Sequence, residues 1–137
     1  MSKDFVQLHV HSHYSLLDAF PSPKALVARA KEYGSTAMAI TDNDAMYGIV
    51  SFYEECRKND IKPIIGVDFH IAPEHRSLKR GMVDKKSWRL VVLAKNNAGY
   101  KNLLKLSSIG YLEGFYYTAR IDNEILGELS EGLIGMS

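Results

Sequence analysis

Strand-like and helix-like patterns alternate along this chain, and that alternation narrows the folds open to it more than any other feature. Residues 5 to 11, FVQLHVH, place Val6, Leu8 and Val10 on one face and Gln7, His9 and His11 on the other, the period of a strand. PSPKALVARAKEYG, with prolines at its start, Leu26, Ala30 and Tyr33 at helical spacing and Gly34 as a stop, predicts a helix. STAMAIT predicts a second strand, YGIVSFYEECRKN a second helix with Ile49, Tyr53 and Cys56 inward, and IKPIIGVDFHIA a third strand. A polar, irregular stretch at residues 73 to 87 precedes the apolar strand WRLVVLA. A helix over residues 96 to 112 follows, its ends blurred by Gly99 and Gly110, and then a short helix, DNEILGEL, and a strand, GLIGMS. Such an order implies an α/β fold with parallel strands joined by crossover helices.

A chain of 137 residues fits one domain, here residues 1–137. The strand ending at Ser137 has no helix after it, although a parallel strand normally needs both faces covered. The pattern is therefore expected to be the first portion of a longer alternating β/α domain, an open doubly wound sheet being the alternative.

Composition removes several function classes. With 46% hydrophobic and 24% charged residues the chain is neither disordered nor a membrane protein, and a net charge of +1 gives no global attraction to nucleic acid or to anionic lipid. No apolar signal core opens the chain and no run approaches the ~18 apolar residues of a transmembrane helix. The single cysteine, Cys56, rules out an internal disulfide, suits a cytoplasmic location and reads as a buried helix thiol. Between His75 and Arg89 a basic loop carries Arg76, Lys79, Arg80, Lys85 and Lys86 against the single acid Asp84. Such a density can attract DNA phosphates or be an ordinary solvated loop, and its only aromatic is Trp88 at the end. The aromatics of FYY, residues 115 to 117, can stack on bases or simply pack. No Gly-rich phosphate loop, Ser-His-Asp set or CxxC pair is present.

The opening segment concentrates the chemistry. Of five histidines, three fall in HVHSH, and His9 and His11 stand at i and i+2 on one strand face, about 7 Å apart along the strand. Imidazole nitrogens so placed can converge on a metal such as zinc, manganese or iron, or can be hydrogen-bonded interior histidines. Asp18, in the loop beyond the strand, can add an oxygen ligand or orient an imidazole. His13 keeps the parity but lies where the strand should end, as a surface residue.

The stretches HVHSHYSLLDA, AITDNDAMYGIVSFYEECRKNDIKPIIGVDF, VVLAKNNAGYKNLLKLSSIGYLEGFY and RIDNEILGELSEGLIGMS resemble the PHP (polymerase and histidinol phosphatase) domain. The likeness is to the polymerase branch, found at the start of bacterial replicative DNA polymerase III alpha subunits, and covers almost the whole chain. It implies the first part of a distorted (β/α)7 barrel, with parallel strands whose C-terminal ends hold up to three zinc or manganese ions. Active members hydrolyse phosphoesters there, including at a DNA 3′ end; many polymerase-branch members have lost ligands and act as scaffolds.

Ligands carried over by the resemblance are His9, His11 and Asp18, which are intact, and Asp68, which replaces a bridging glutamate and is one methylene shorter. Two family histidines align with Asn43 and Arg89, an amide and a permanent cation, both poor metal donors. The resemblance thus implies a degenerate site, weakly metallated or empty, in a domain that works as scaffold. Its partners would be the rest of the polymerase alpha subunit, a proofreading exonuclease subunit and, through the parent protein, DNA; magnesium would serve the parent polymerase. The alternative is a metal-dependent phosphoesterase or 3′-5′ exonuclease.

Overall fold

The computed structural model describes residues 5–137. Met1–Asp4, which belong to the expected 1–137 domain and to the segment read as lacking a signal core, lie outside the described residues. Nine elements follow in the order α1 (Pro23–Glu32), β1 (Ala37–Asn43), α2 (Ile49–Lys58), β2 (Lys62–Ile71), α3 (Met82–Lys85), β3 (Trp88–Ala94), α4 (Asn97–Leu112), α5 (Asn123–Glu128) and β4 (Leu133–Met136). The strands form one mixed sheet in the order β1-β2-β3-β4.

Helix boundaries follow local chemistry. Ser22 caps α1, its hydroxyl accepting from the Ala25 amide beside Pro23 at the first helical position. Asn96 caps α4 and Asp122 caps α5 in the same way. Ala30 in α1 and Ile49 and Cys56 in α2 are buried as expected, but Val27 and Phe52 take the places expected for Leu26 and Tyr53, leaving Tyr33 and Tyr53 exposed. Tyrosine keeps its hydroxyl wet by this rotation while the neighbouring Val and Phe fill the core. Gly99 lies inside α4 rather than at its end, because the turn before β4 crosses it: a Cβ there would sit 1.9 Å from the Gly132 carbonyl oxygen.

Expectation and structure differ on strand direction. Only β1 and β2 are parallel, joined by the crossover helix α2. β3 is antiparallel to β2 and β4 antiparallel to β3. The connection from β2 to β3 contains only the single-turn α3, too little for a crossover, so the chain doubles back. After α4 an extended passage bridges Ile121 to Ile71, taking the place beside β2 that β1 has left, before α5 leads into β4.

The first expected strand is also modified. Residues 5 to 11 run along β1 without forming a regular ladder: Ala39 N–H donates to Gln7 O (2.9 Å) and Thr41 N–H to Val10 O (2.8 Å), three residues facing two. That extra residue is the signature of a bulge. The Thr41 hydroxyl accepts from the Val10 amide in place of a strand carbonyl. Alternation is lost with it, so Val10 packs on the core while Leu8 is exposed.

Two apolar clusters on the helical side hold the sheet. One joins Val27 and Ala30 to Met38, Ile40, Phe52 and Cys56; the other joins Val67, Phe69, Ile71 and Val92 to Leu103, Leu106 and Ile125. On the opposite face a smaller cluster of Ala39, Val91 and Leu93 gives way, toward the ends of β1 and β2, to polar side chains. That polar end carries the candidate site.

Candidate metal centre

Strand pairing aligns four side chains on one face. Asn43 ends β1 opposite Asp68 of β2, and His70 of β2 faces Arg89 of β3. The bulged segment brings the two histidines over them: His9 Nε2 lies 2.8 Å and His11 Nε2 3.2 Å from Asp68 Oδ2, with 3.3 Å between the two nitrogens. The ligand-type atoms of His9, His11 and Asp68 therefore lie close together. Asp68 is buried and His9 is open to solvent. Both Nε2 atoms face one carboxylate oxygen at hydrogen-bond distance, an arrangement of three ligand-type atoms that could also surround a metal; in its hydrogen-bonded form each imidazole donates Nε2–H to Asp68.

Asp18 lies to one side. Its Oδ2 accepts from Asn43 Nδ2 at 2.7 Å and stands 3.8 Å from His11 Nδ1, beyond hydrogen-bond range. Arg89 is central: its Nε donates to Asp68 Oδ1 (3.0 Å), its Nη2 lies 2.8 Å from Oδ2, and its Nη2 also donates to Asn43 Oδ1. Burial alone would push the Asp68 carboxyl up, but the Arg89 bonds and charge, with those of His9 and His11, hold it below its usual value.

Three groups at the site were missed by sequence reasoning. His70 Nδ1 donates to Asp44 Oδ2 (2.6 Å), leaving Nε2 to accept from Arg89 Nη1 (2.8 Å). Its signal was the i, i+2 parity with Asp68. Asp44 adopts a left-handed backbone (φ 55°) that also lets its carboxylate accept from the His70 amide. Asp42 accepts from Ser12 N, Ser12 Oγ and Ser15 Oγ, all within 2.7 Å, and so fastens the loop that carries Asp18. Ser12 and Ser15, inside the histidine-rich opening, were its signal.

The other candidates sit apart. His13 is exposed beside Tyr14. Cys56 is fully buried, and burial together with nearby Glu55 pushes its thiol up to about 11, an inert setting. In the basic loop Arg76 is paired with Asp122 (3.1 Å) and Glu113 (2.7 Å), and Arg80 with Asp84 and Glu74 (2.9 Å each). Lys79, Lys85 and Lys86 are exposed, with no carboxylate partner among the described residues. His75, Asp122 and Glu124 also lie close together. There the Ser77 amide donates to His75 Nδ1, which puts the proton on Nε2 facing the acids, and Asp122 is already held by Arg76 and by the Ile125 amide.

A family model described as PHP domain matches residues 7–137. The chain belongs to the PHP domain family. Its relatives include DNA polymerase III alpha subunits of Borreliella burgdorferi (48% identical over 95% of this chain), Treponema pallidum (46% over 97%) and Aquifex aeolicus (41% over 100%). The chain spans only 11–12% of the length of these relatives. Among solved structures, a Chromobacterium violaceum amidohydrolase with bound sulfate and no metal aligns at TM-score 0.56 and 22% identity, over 77% of this chain and 32% of that one. A proposed metal-dependent phosphoesterase from Bifidobacterium adolescentis aligns at 0.55 and 15%, over 78% and 33%. The PHP chain thus shares a mixed α/β fold with both.

The PHP residues do not fit a cluster of two or three metals. Every oxygen of Asp68 already faces the Arg89 guanidinium, and Asn43 Oδ1 accepts from the same group, so a permanent cation occupies the centre of the donor set.

Proposed function

We propose that this chain is the PHP portion of a replicative DNA polymerase III alpha subunit, working as scaffold and docking surface with its ancestral metal site closed by an internal cation. One observation carries the reading: Arg89 holds Asp68, His70 and Asn43 with one guanidinium, joining β1, β2 and β3 where a metal would otherwise join them. A fixed guanidinium satisfies these acceptors at any metal concentration, so strand ends are held without zinc or manganese.

In the same proposal the chain is the first part of a distorted (β/α)7 barrel completed by the parent subunit. It acts in the cytoplasm, where a proofreading exonuclease subunit docks, and magnesium-dependent synthesis on DNA takes place elsewhere in the parent. Support comes from the relatives' names and from the coverage of nearly the whole chain. Within the described residues no helix is long and apolar enough to cross a membrane.

The rival is a metal-dependent phosphoesterase or 3′-5′ exonuclease using His9, His11, Asp18 and Asp68, favoured by the convergence of three ligand-type atoms. Incubating the full-length parent with a 3′-labelled single strand and manganese or zinc separates the two. The scaffold reading expects no release above a chelated control; release abolished by His9→Ala or His11→Ala would replace it with the phosphoesterase.

A further inference from the structure

Away from the metal centre, two features that the sequence keeps apart meet on one surface. Tyr116 and Thr118 form an isolated bridge, the Tyr116 amide donating to Thr118 O at 2.9 Å, so that Tyr117 stands alone at the tip of a tight turn. Tyr117 has φ 63°, a left-handed backbone that glycine or asparagine adopts far more readily than an aromatic residue. A turn needing only to turn would not select tyrosine here, and strained residues of this kind gather at working surfaces. The Tyr117 ring is 62% exposed.

The basic loop lies against this tip. Tyr116 Oη accepts from the Gly81 amide, and the Lys85 ammonium sits over the Tyr117 ring, 4.7 Å from its centre. Arg120, fully buried, locks the two segments together by donating to the carbonyls of Arg76, Leu78, Asp84 and Gly114. Three residues beyond Lys85, Trp88 is 61% exposed at the start of β3. The carboxylates of this region are all engaged: Asp84 and Glu74 by Arg80, and Asp122 and Glu113 by Arg76. Because Arg76 and Arg80 each answer two carboxylates, these groups together with Arg120, Lys79, Lys85 and Lys86 carry a net charge of about +2, and its exposed part is on the three lysines.

We propose that Tyr117 and Trp88, flanked by Lys79, Lys85 and Lys86, form a platform that binds unpaired DNA, the rings stacking on bases and the lysines meeting phosphates. An exposed indole and a protruding tyrosine whose ring carries the mobile Lys85 ammonium, beside exposed lysines, suit a single strand, whose bases are free to stack and whose phosphates can draw the ammonium away, and not a duplex, whose bases are already stacked. The inference is independent of the metal site and of the scaffold reading.

Trp88 is the only tryptophan of the chain, so its emission reports binding directly. Titrating the purified chain with oligothymidylate is expected to quench that emission, with a duplex of equal length binding more weakly. Tyr117→Gly suits the left-handed turn, so its melting midpoint should equal or exceed the parent's while affinity for the oligonucleotide falls at least about fivefold. Replacing Lys85 and Lys86 by alanine should lower the slope of log affinity against log salt by about 1.4. Absence of oligothymidylate binding, equal affinity for duplex, or unchanged affinity in Tyr117→Gly would overturn the proposal, the first pointing to a protein-docking face or an ordinary rim and the second to phosphate attraction without stacking.

Discussion

Arg89 lies against Asp68 along both carboxylate oxygens, Nε to Oδ1 at 3.0 Å and Nη2 to Oδ2 at 2.8 Å, across the antiparallel pair β2 and β3. The anion at the centre of the candidate site is thereby neutralised from within the chain, and His9 and His11 are turned into donors toward it. Any metal must displace a bidentate guanidinium and two imidazole protons.

Removing that obstacle should therefore expose the underlying affinity. Arg89→His takes away the permanent charge and puts an imidazole beside Asp68 and His70 in its place. Zinc affinity by calorimetry is expected to rise at least about tenfold, the scale on which groups around a metal act. An unchanged affinity would mean that Arg89 does not close the site.

Asp68 also links strands, so its loss should be felt in stability. Asp68→Asn leaves Arg89 and two histidines without their shared anion. Because Arg89 is partly solvated, the expected cost is about 1–3 kcal/mol in urea unfolding, below that of a fully buried pair.

Much of this arrangement was legible in the sequence. His9 and His11 were legible as an i, i+2 pair on one strand face, whereas Asp68 and the replacements at Asn43 and Arg89 came only through the likeness to the PHP family. What failed was directional: alternation of strands and helices does not report whether a connection carries a full crossover helix, so β3 and β4 were expected parallel. The bulge between Gln7 and Val10 was hidden because the Thr41 hydroxyl, a side chain from another strand, replaces a ladder acceptor. Asp42 and Asp44 went unread for a related reason: their partners Ser12, Ser15 and His70 are distant in sequence, so the two serines in the histidine-rich opening pointed to a polar anchor without naming it.

Acid should loosen the loop that carries Arg76 and Arg80. The Arg80 bonds hold the Asp84 carboxyl down to about 2 despite burial, and Asp122 is lowered as well, its burial outweighed by the Ile125 and Arg76 amides and the Arg76 guanidinium. A carboxyl depressed by folding stabilises the native state above its unfolded value of about 3.9, and that contribution disappears as pH falls through the folded value. The urea midpoint should accordingly drop between about pH 4 and pH 2, and less steeply in Asp84→Asn. An identical slope in the variant would remove Asp84 from the account.

Arg120 is expected to be intolerant even of lysine. Its guanidinium serves four carbonyls at 2.7–3.0 Å, and an ammonium with three donors on a different geometry cannot reach them all. Arg120→Lys should cost about 2–4 kcal/mol by denaturant unfolding. A loss under about 0.5 kcal/mol would show that the loop holds without it.

The central claim, a site closed by Arg89 in place of a metal cluster, is tested most directly by elemental analysis of protein purified without added metal. We expect well under one equivalent of zinc, manganese and iron together, because the remaining donors His9, His11 and Asp68 are already bonded to one another and to Arg89. Two or three stoichiometric ions would contradict the closed site and restore the phosphoesterase.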